Sequence, residues 1–405
     1  MLDNKGIRQL CYAVKVTNIT PIEGADRVEL AHVNGWQVMV KKGEYKIGDL
    51  AVYFEIDSKL PETEPFEFMA KYKYRVKTQR FLRGSTLSQG LVMTPAELGL
   101  KDVKEGDFLT EKLGVTYYEP EDNMRKADNK KLAELKADKF MEKWKAKHKF
   151  LSKFTFICKW KRKRFIKKYF TKQKKTKTDW PYWVAKTDEE RVQNLPHVFD
   201  NPDKIYCPTE KLDGSSSTFT MQQAPKRKRR AIVCSRNVVF NSPDKEEKNY
   251  YKDTDGNIYL EMFEKYDINK ILNYILDQHP EYEFITLQGE TYGGTIQKRK
   301  YCNDHRLAIF NFKYKEKNQA EVRLNPYEML EEINKINDAL GTNLETVPVF
   351  DKMTLADFDC DKLLKFAEGN SVIDGQPREG LVFRSLDGKE SFKAVSNSFL
   401  EKYHS

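Results

Sequence analysis

The chain has 405 residues, of which 39% are hydrophobic and 33% charged, and a formal net charge of +10. This length accommodates two or three domains, and the apolar content excludes a chain that is disordered throughout, while the charge indicates an anionic partner. Six dispersed cysteines without a C-x-x-C pair, and the lack of a run of roughly 18 apolar residues, exclude a disulfide framework, a zinc site and a transmembrane segment, and predict a soluble cytoplasmic protein.

Residues 1–118 are predicted to form a compact β-barrel. Short runs rich in β-branched and aromatic residues alternate with turn sequences such as EGAD, NG and RGSTLSQG. The runs are CYAVKVTNIT, RVELAHV, WQVMV, LAVYFEI and QGLVM. Five strands in about 95 residues favour an oligonucleotide/oligosaccharide-binding (OB) barrel, although an SH3-like barrel is also compatible with the pattern.

Residues 119–179 are predicted to be a basic, partly helical linker or insertion. Between Lys139 and Thr178 there are 17 lysines and arginines against one acid, Glu142, so this segment carries +16 and the rest of the chain −6. Aromatic residues interleave with these cations at Phe140, Trp144, Phe150, Phe154, Trp160, Phe165 and Tyr169. Three interpretations stay open: a nucleic-acid contact that grips phosphates and stacks on bases, a helix on an anionic membrane surface, and a solvated linker.

From residue 180 onward, strands and helices mix and predict an α+β domain with largely antiparallel sheets. NPYEMLEEINKINDALG has Asn325 as N-cap, Pro326 at the first helical position and Gly341 as the stop. IYLEMFEKYDINKILNYILDQHP is a second helical region. The predicted strands are IYCPTEKL, SSTFTM, AIVCSRN, EFITLQGE, RLAIFNFK, TVPVF, GLVFRS and SFKAVS.

The sequence EKLDGSS at 210–216 places a lysine two positions before an Asp-Gly pair. Alone, KLDG reads as a hairpin corner, because Asp-Gly is the strongest two-residue turn signal. Five further sequences follow it in order: CSRN (Arg236), LQGE (Glu290), LAIFNF (Phe310), EGLVFRS (Glu379) and SFKAVS (Lys393). This ordered set resembles the motifs of the covalent nucleotidyltransferases, the superfamily of ATP-dependent DNA ligases, RNA ligases and mRNA capping enzymes.

The chemistry explains these residue types. A lysine amine can attack the α-phosphate of ATP and hold AMP as a phosphoramidate, which divides one difficult transfer into easier steps. The amine must be neutral to attack, whereas a free lysine has a pKa of about 10.4 and is almost entirely protonated at pH 7. Desolvation or a nearby cation lowers that pKa, and a divalent metal held by acidic residues would also neutralise phosphate oxygens.

The resemblance implies that Lys211 is the adenylylated nucleophile. Glu379 would be catalytic by holding the metal through water, with Asp213 close by as a second metal-binding carboxylate. Glu210 and Gly214, which flank this lysine motif, would belong with Asp213 to the nucleotide-binding residues.

The resemblance assigns the remaining positions to nucleotide binding. Glu290 would accept a hydrogen bond from the ribose hydroxyls, and Phe310 would stack on adenine. Lys393, also catalytic, would contact the α-phosphate, and Arg236 would engage the nucleotide or the phosphate of the RNA end. From the residues alone, Phe310 is better explained as a core residue, and the two glutamates as solvated residues beside turns.

One position departs from the superfamily pattern. Many members carry two lysines as K-x-K in the last motif, whereas here Ser391 occupies the earlier position and Lys389 lies two residues further back. The second cation is therefore unassigned.

The order of the segments resembles the Naegleria-type family of RNA ligases. DNA ligases and capping enzymes carry their barrel after the nucleotidyltransferase domain, whereas here the barrel precedes it. The segments IEGADRVELAHVNGWQVMVKKGEYKIGDLAVYFEIDSKLP, FLRGSTLSQGLV and KTDEERVQNLP resemble that family, and the basic insertion does not. The implied architecture is an OB-like domain at 1–118, the insertion at 119–179 and a nucleotidyltransferase (adenylation) domain at 180–405.

The implied function is an ATP-dependent RNA ligase that joins a 3′-OH to a 5′-phosphate with Mg²⁺ or Mn²⁺. It would act in RNA repair on nicked or broken RNA through lysyl-AMP and AppRNA, with no stable protein partner implied. GxxxxGK[ST] is absent, so ends bearing 2′,3′-cyclic phosphates would need other enzymes.

Two alternatives stay open from the sequence: a non-catalytic nucleic-acid-binding protein, and a related nucleotidyltransferase that acts on DNA ends or with GTP. A second basic run, KRKRR at 226–230, is interpreted either as an RNA contact near the nick or as a solvated loop.

Overall fold

The computed structural model describes residues 1–3, 5–81, 86–118, 122–149, 155–175, 180–224, 228–240 and 257–403. In the two helices between 122 and 175, it describes the side chains of residues 134, 136–149 and 155–167.

The N-terminal part is built from short antiparallel strands, and each of the five runs predicted from the sequence contains at least one of them. The strands are β1 Cys11–Lys15, β2 Asn18–Pro21, β3 Val28–Val33, β4 Trp36–Lys41, β5 Leu50–Phe54, β6 Ser58–Lys59, β7 Gln79–Phe81, β8 Thr86–Ser88, β9 Leu91–Met93 and β10 Thr116–Tyr117. They pair in the orders β1-β5-β9, β2-β3-β4, β7-β8 and β10-β6. Alternate residues of β5 face two apolar clusters, with Phe54 in one and Tyr53 beside Trp36 in the other.

The basic segment contains two long helices, α1 Asp122–Lys147 and α2 Thr155–Lys175, which pack against each other. Helix formers such as Lys, Ala and Glu dominate α1, so local propensity favours the helix even though its sequence is polar. None of the helices in the described part of the chain combines the length and apolarity that crossing a bilayer requires.

The C-terminal part mixes strands and helices as predicted. Its strands are β11 Glu190–Arg191, β12 Tyr206–Lys211, β13 Ser215–Gln222, β14 Ala231–Ser235, β15 Val239–Phe240, β16 Tyr282–Gly293, β17 His305–Glu316, β18 Val322–Arg323, β19 Glu345–Thr346, β20 Gly380–Ser385 and β21 Ser391–Val395. Its helices are α3 Ile258–Lys265, α4 Ile268–Gln278, α5 Pro326–Leu340, α6 Cys360–Ala367 and α7 Asn397–Tyr403.

Two sheets form this part of the chain. One has the order β11-β21-β20-β12, and the other has the order β15-β14-β13-β16-β17-β18, with β19 parallel to β17. The hairpin interpretation of KLDG is wrong, because β12 pairs with β20 while β13 pairs with β14 and β16. The Asp-Gly pair instead carries the chain from one sheet to the other, which places Lys211 at the boundary between them.

Helices α3, α4 and α5 cover one face of the larger sheet and bury its main apolar core. Helix α5 begins and ends where predicted, with a capping box at Asn325 and a left-handed Gly341. The predicted second helical region contains two helices, which are separated where Asp267 adopts a left-handed conformation with φ 49°. The larger sheet is therefore rigidly supported on the side away from the boundary between the sheets.

Polar contacts join the N-terminal and C-terminal parts. Asn34 donates to the carbonyl of Gln193 at 2.8 Å, and Gln37 donates to Glu401 at 2.9 Å. The guanidinium of Arg191 lies 5.5 Å from the ring centre of Trp36, a cation–π distance. These contacts come from the turn after β3, the strand β4 and both ends of the C-terminal part.

Candidate active site

A cleft of about 400 Å³ lies between the two sheets of the C-terminal part. Every site residue predicted from the sequence lines it: Glu210, Lys211, Asp213, Gly214, Arg236, Glu290, Phe310, Glu379 and Lys393. The structure therefore brings the whole predicted set together, although the chain separates its members by many residues.

Strand register places Lys211 beside Glu379. Lys211 ends β12 and pairs with Gly380, the first residue of β20, so Glu379 immediately precedes the paired position. The Lys211 Nζ lies 2.7 Å from Glu379 Oε2. Glu379 is buried, and apart from this ion pair its Oε2 has no hydrogen-bond partner among the described atoms. A buried carboxylate thus holds the amine at the floor of the cleft.

Asp188 is a site residue that the motif analysis missed. Its carboxylate accepts from Lys393 Nζ at 3.1 Å and from Arg236 Nη2 at 2.6 Å, and so bridges two predicted cations. It lies just before β11, which runs parallel to β21 and pairs Arg191 with Lys393. KTDEERVQNLP contains this aspartate, but nothing local to that segment indicates that it meets β21.

Gly214 allows β16, which carries Glu290, to lie close to the lysine motif. Glu290 lies in β16 and pairs with Ser216, two residues after Gly214. A Cβ at Gly214 would overlap the carbonyl oxygen of Thr291 and lie 2.9 Å from Glu290 Cγ. The absence of a side chain at Gly214 therefore lets β16 approach the lysine motif closely.

Strand alternation places Phe310 on the cleft side of β17. Ile309 faces the helical core, whereas Ala308 and Phe310 lie on the opposite side, where Phe310 packs with Val347 and stays half-buried. A β-bulge at Phe310 then shifts the alternation, so that Phe312 faces the helical core. Phe310 therefore lies at the edge of a small apolar cluster and lines the cleft.

Arg299 and Tyr301 position the acidic residues of the cleft. The Tyr301 hydroxyl accepts from the backbone N–H of Asp213 at 3.0 Å. Arg299 is buried, lies 3.5 Å from the centre of the Tyr301 ring, and binds Asp374 at 2.8 Å and the Pro377 carbonyl at 2.9 Å. Arg299 thereby connects Asp213, through Tyr301, to the loop that leads to Glu379, and no local sequence pattern indicates this contact.

Burial and charge act against each other on the ionisable groups. Burial lowers the pKa of Lys211, but the nearby carboxylates, Glu379 foremost, raise it by more, so the net shift is upward. Burial raises the pKa of Glu290 to about 8 despite the attraction of Lys211. Burial also lowers the pKa of Lys393, against the opposing effect of Asp188. In the protein alone, Lys211 is held protonated.

At the position where many superfamily members carry a second lysine, this chain has the uncharged residue Ser391. The Ser391 hydroxyl donates to Glu189, and Lys389 is exposed and lies outside the cleft lining. Arg384 does line the cleft, donates to the Phe310 carbonyl at 2.7 Å and lies 3.5 Å from Glu189. Burial lowers the pKa of Arg384 to about 10. Among the described cleft residues, Arg384 is the buried cation nearest in sequence to the missing lysine.

The cleft has the size and the groups to take a nucleotide. Its volume is in the range of small-molecule pockets, and it combines a half-buried aromatic ring with four cations near carboxylates. The buried Glu210 Oε1 has no hydrogen-bond partner among the described atoms, so it can accept from a ligand. Within the described residues, no three His, Cys, Asp or Glu side chains are grouped to hold a metal ion. Glu379 and Asp213 also line the cleft, and carboxylate oxygens are ligands that Mg²⁺ accepts.

One residue of the run KRKRR at 226–230 pairs with the end of a helix; residues 226 and 227 lie outside the described residues. Arg229 donates to Asp277 at 2.6 Å and to the carbonyl of Leu276 at 3.4 Å, in the last turn of α4. A cation there pairs with a carbonyl that the helix leaves unpaired. Arg229 therefore stabilises a helix end, whereas Lys228 and Arg230 are exposed, so an RNA contact by this run stays a prediction.

Comparison with known proteins identifies both parts of the chain. A family model described as OB-fold domain matches residues 10–95, and one described as RNA ligase matches residues 204–396. The first match confirms the OB barrel over the SH3-like alternative. A search of curated proteins finds no match.

Solved structures of Naegleria gruberi RNA ligase match nearly the whole chain. A lysine-to-methionine variant with AMP and Mn is 30% identical, with a TM-score of 0.59, and the match covers 98% of this chain and 99% of that one. A lysine-to-alanine variant with ATP and Mn is 29% identical, with a TM-score of 0.59 and the same coverage. An aspartate-to-alanine variant without ligand is 29% identical, with a TM-score of 0.60 and 98% coverage of both chains.

Proposed function

This chain belongs to the Naegleria-type RNA ligase family, and on that basis we propose that it is an ATP-dependent enzyme that joins RNA 3′-OH and 5′-phosphate ends. The observation that carries the proposal is the cleft in which Lys211 lies 2.7 Å from Glu379. The other motif residues line the same cleft. A nucleophilic lysine, carboxylates and phosphate-binding cations are what lysyl-AMP chemistry requires.

The cleft binds ATP with its base toward Phe310. The half-buried ring of Phe310 stacks on adenine, and Glu290 accepts a hydrogen bond from the ribose. Lys393 contacts the α-phosphate, and Arg236 contacts the nucleotide or the RNA 5′-phosphate. Asp188 holds both cations until a phosphate takes its place, since it pairs with each of them in the protein alone. The Naegleria relatives bear on this assignment because their titles name ATP or AMP together with Mn.

In the first step, the Lys211 nitrogen attacks the α-phosphorus of ATP. A P–N bond forms, the bond to the bridging oxygen breaks, and pyrophosphate leaves with the electron pair. The amine must lose its proton beforehand, and Glu379, in contact with Nζ, is placed to take it or to hold it on its way to solvent. Burial of the amine favours the neutral form once the carboxylate charge is offset.

A divalent cation, Mg²⁺ or Mn²⁺, would offset that carboxylate charge and neutralise developing charge on the phosphates. Glu379 and Asp213 would hold it, through water.

Sealing then uses the stored AMP. The RNA 5′-phosphate attacks the phosphorus of lysyl-AMP, which forms AppRNA and returns Lys211 as an amine. The 3′-OH next attacks the 5′-phosphate in AppRNA, with loss of AMP and formation of the phosphodiester. The OB domain and the basic segment position the RNA, and we assign residues 1–118, 119–179 and 180–405 to barrel, insertion and adenylation domain. Ends that are nicked or broken fit this chemistry, in a cytoplasmic role in RNA repair.

The test is incubation of the purified protein with α-labelled ATP and Mg²⁺ or Mn²⁺, followed by a denaturing gel and intact mass. Wild type should gain one AMP, and Lys211→Ala should gain none. Lys204→Ala is the matched control, because this partly exposed lysine pairs with Glu390 outside the cleft.

Parallel reactions with labelled GTP, and then with nicked RNA and nicked DNA, separate the remaining alternatives. An adduct with GTP, or sealing of DNA in preference to RNA, would redirect the proposal to another nucleotidyltransferase. A wild-type protein that is not already adenylylated and forms no adduct with either metal would be a non-catalytic nucleic-acid-binding protein.

A further inference from the structure

Helices α1 and α2 form a packed antiparallel hairpin. The rings of Phe140 and Phe165 stack at 4.5 Å, and Arg162 binds Asp138 at 2.9 Å. Met141 is buried in the same segment. One side of α2 therefore packs against α1, and the opposite side of the helix faces away from this contact.

The outer side of α2 carries an unusual stripe. Its exposed residues recur at intervals of three and four, so they share one face of the helix. We call this face the α2 stripe; it consists of Phe156, Lys159, Trp160, Lys163, Arg164 and Lys167. Residues 157, 158, 161, 162, 165 and 166, which lie between them, are half-buried.

Two large aromatic side chains are exposed within this cationic stripe. Phe156 is 68% exposed and Trp160 is 54% exposed. The Arg164 guanidinium lies 5.1 Å from the centre of the Trp160 ring, which is a cation–π distance. Exposed aromatics of this size usually mark a contact surface, and the four cations specify an anionic partner.

We propose that the α2 stripe binds a single-stranded segment of the RNA that adjoins the break, with bases stacked on Phe156 and Trp160 and phosphates on the cations. Stacking requires an open base face, which single strands offer and paired duplexes do not. That the bound strand belongs to the substrate being sealed rests on the proposed function.

The distribution of the side chains favours RNA over a membrane. A helix that lies on a membrane separates an apolar face from a charged one, whereas here aromatics and cations share the same face. The remainder of the chain carries −6, so the field of the molecule directs a phosphate backbone to this segment.

The dimensions are compatible with one RNA reaching both sites. From Phe156 to Lys167 the stripe spans roughly 16 Å, at about 1.5 Å per residue, which matches about five nucleotides of a stacked strand at roughly 3.4 Å each. Eleven residues separate the end of α2 from Thr187 at the cleft, and Lys167 lies eight residues before that end, so the stripe and Thr187 lie at most about 55 Å apart.

The test is fluorescence anisotropy with a labelled 12-nucleotide RNA without a 5′-phosphate, and with a blunt RNA duplex of the same length, in the absence of ATP. We expect Phe156→Ala/Trp160→Ala to weaken binding of the single strand about tenfold or more and binding of the duplex much less. The triple variant Lys163→Gln/Arg164→Gln/Lys167→Gln should weaken binding of both the single strand and the duplex. For the single strand, the slope of log K against log salt concentration should become shallower by about two. Tyr182→Ala, an aromatic that is 80% exposed outside the stripe, should bind as wild type does.

As a folding control, the circular dichroism spectrum of each variant should show the helix content of the wild-type protein. Single-strand affinity equal to that of Tyr182→Ala in both stripe variants would overturn the proposal, as would weakened binding to phosphatidylserine vesicles with unchanged RNA affinity. Adenylylation of the wild-type protein is measured separately without RNA. If that reaction fails while the stripe variants lose RNA binding, the proposed function falls and the α2 stripe stands as an RNA-binding surface.

Discussion

At the scale of single residues, Lys211 and its carboxylate neighbours have conflicting requirements. The amine is reactive only when neutral, yet Glu379 at 2.7 Å and Glu290 raise its pKa above the ordinary value in spite of burial. The proposed phosphate binding has a similar conflict, because Asp188 already forms ion pairs with Lys393 and Arg236. A nucleotide that binds as proposed must therefore displace or compensate the partner that holds each group.

Phe310 gives a prediction at this scale. Its half-buried ring lines the cleft from β17. If it stacks on adenine, Phe310→Ala should raise the ATP concentration for half-maximal adenylylation about tenfold or more, because stacking on one base contributes about 1–3 kcal/mol. An ATP titration of adduct formation measures this.

Phe310→Tyr is the matched control, because it keeps the ring and should keep the ATP dependence near that of wild type. An unchanged half-saturating ATP concentration in Phe310→Ala, with adenylylation intact, would show that another residue holds the base.

At the scale of elements, the register of β12, β20 and β21 brings the proposed catalytic residues together. Lys211 pairs with Gly380, and Val382 pairs with Lys393, so one ladder places the proposed nucleophile, the residue after Glu379 and the proposed phosphate-binding lysine close to one another. Gly380 has φ +154°, and a Cβ there would overlap the carbonyl oxygen of Ala394. Gly380, at the start of β20, is therefore a position in this ladder where only glycine fits.

Gly380→Ala tests this register. The overlap should push β20 away from β21, which lowers the free energy of unfolding by about 2–4 kcal/mol and displaces Glu379. Gly388→Ala, in the turn of the same hairpin, has φ +67° and its nearest neighbour at 3.6 Å, so it should cost only about 1 kcal/mol. Urea unfolding and adduct formation measure both effects, and equal losses in the two variants would contradict this role of Gly380.

At the scale of the whole molecule, the OB domain docks on the ligase domain through a turn. Asn34 and Gly35 join β3 to β4, and Asn34 donates to the Gln193 carbonyl. A Cβ at Gly35 would lie 2.7 Å from Cys360 Sγ and from Leu364 Cδ1. The turn therefore fits against α6 with no room for a side chain.

Gly35→Val should act as a wedge between the domains. It should raise amide hydrogen exchange in residues 190–198 and 358–368, which contact the turn, with less effect inside either domain. Gly43→Val is the matched control, since Gly43 has φ +77°, close to the +75° of Gly35, but nothing within 4 Å of its Cβ position. Equal exchange in the two variants would mean that the turn does not hold the domains together.

Local patterns in the sequence determined much of this protein. The strands of the barrel, the capped helix α5, the α+β class and the ordered motifs were all predictable, because hydrophobic period, turn residues and capping residues act over a few positions. Residue types within the motifs also determined the chemistry to be expected, since a lysine nucleophile, carboxylates and cations have few joint uses.

Only the tertiary structure decided how those residues meet. That KLDG crosses between sheets, that Phe310 lines the cleft, and that Asp188 bridges two cations all depend on strands paired across long stretches of chain. The burial of Arg299 and the attachment of Arg229 to α4 depend on the same packing. Sheet register and packing are set by the summed burial of many distant side chains, and no short window of sequence contains that sum.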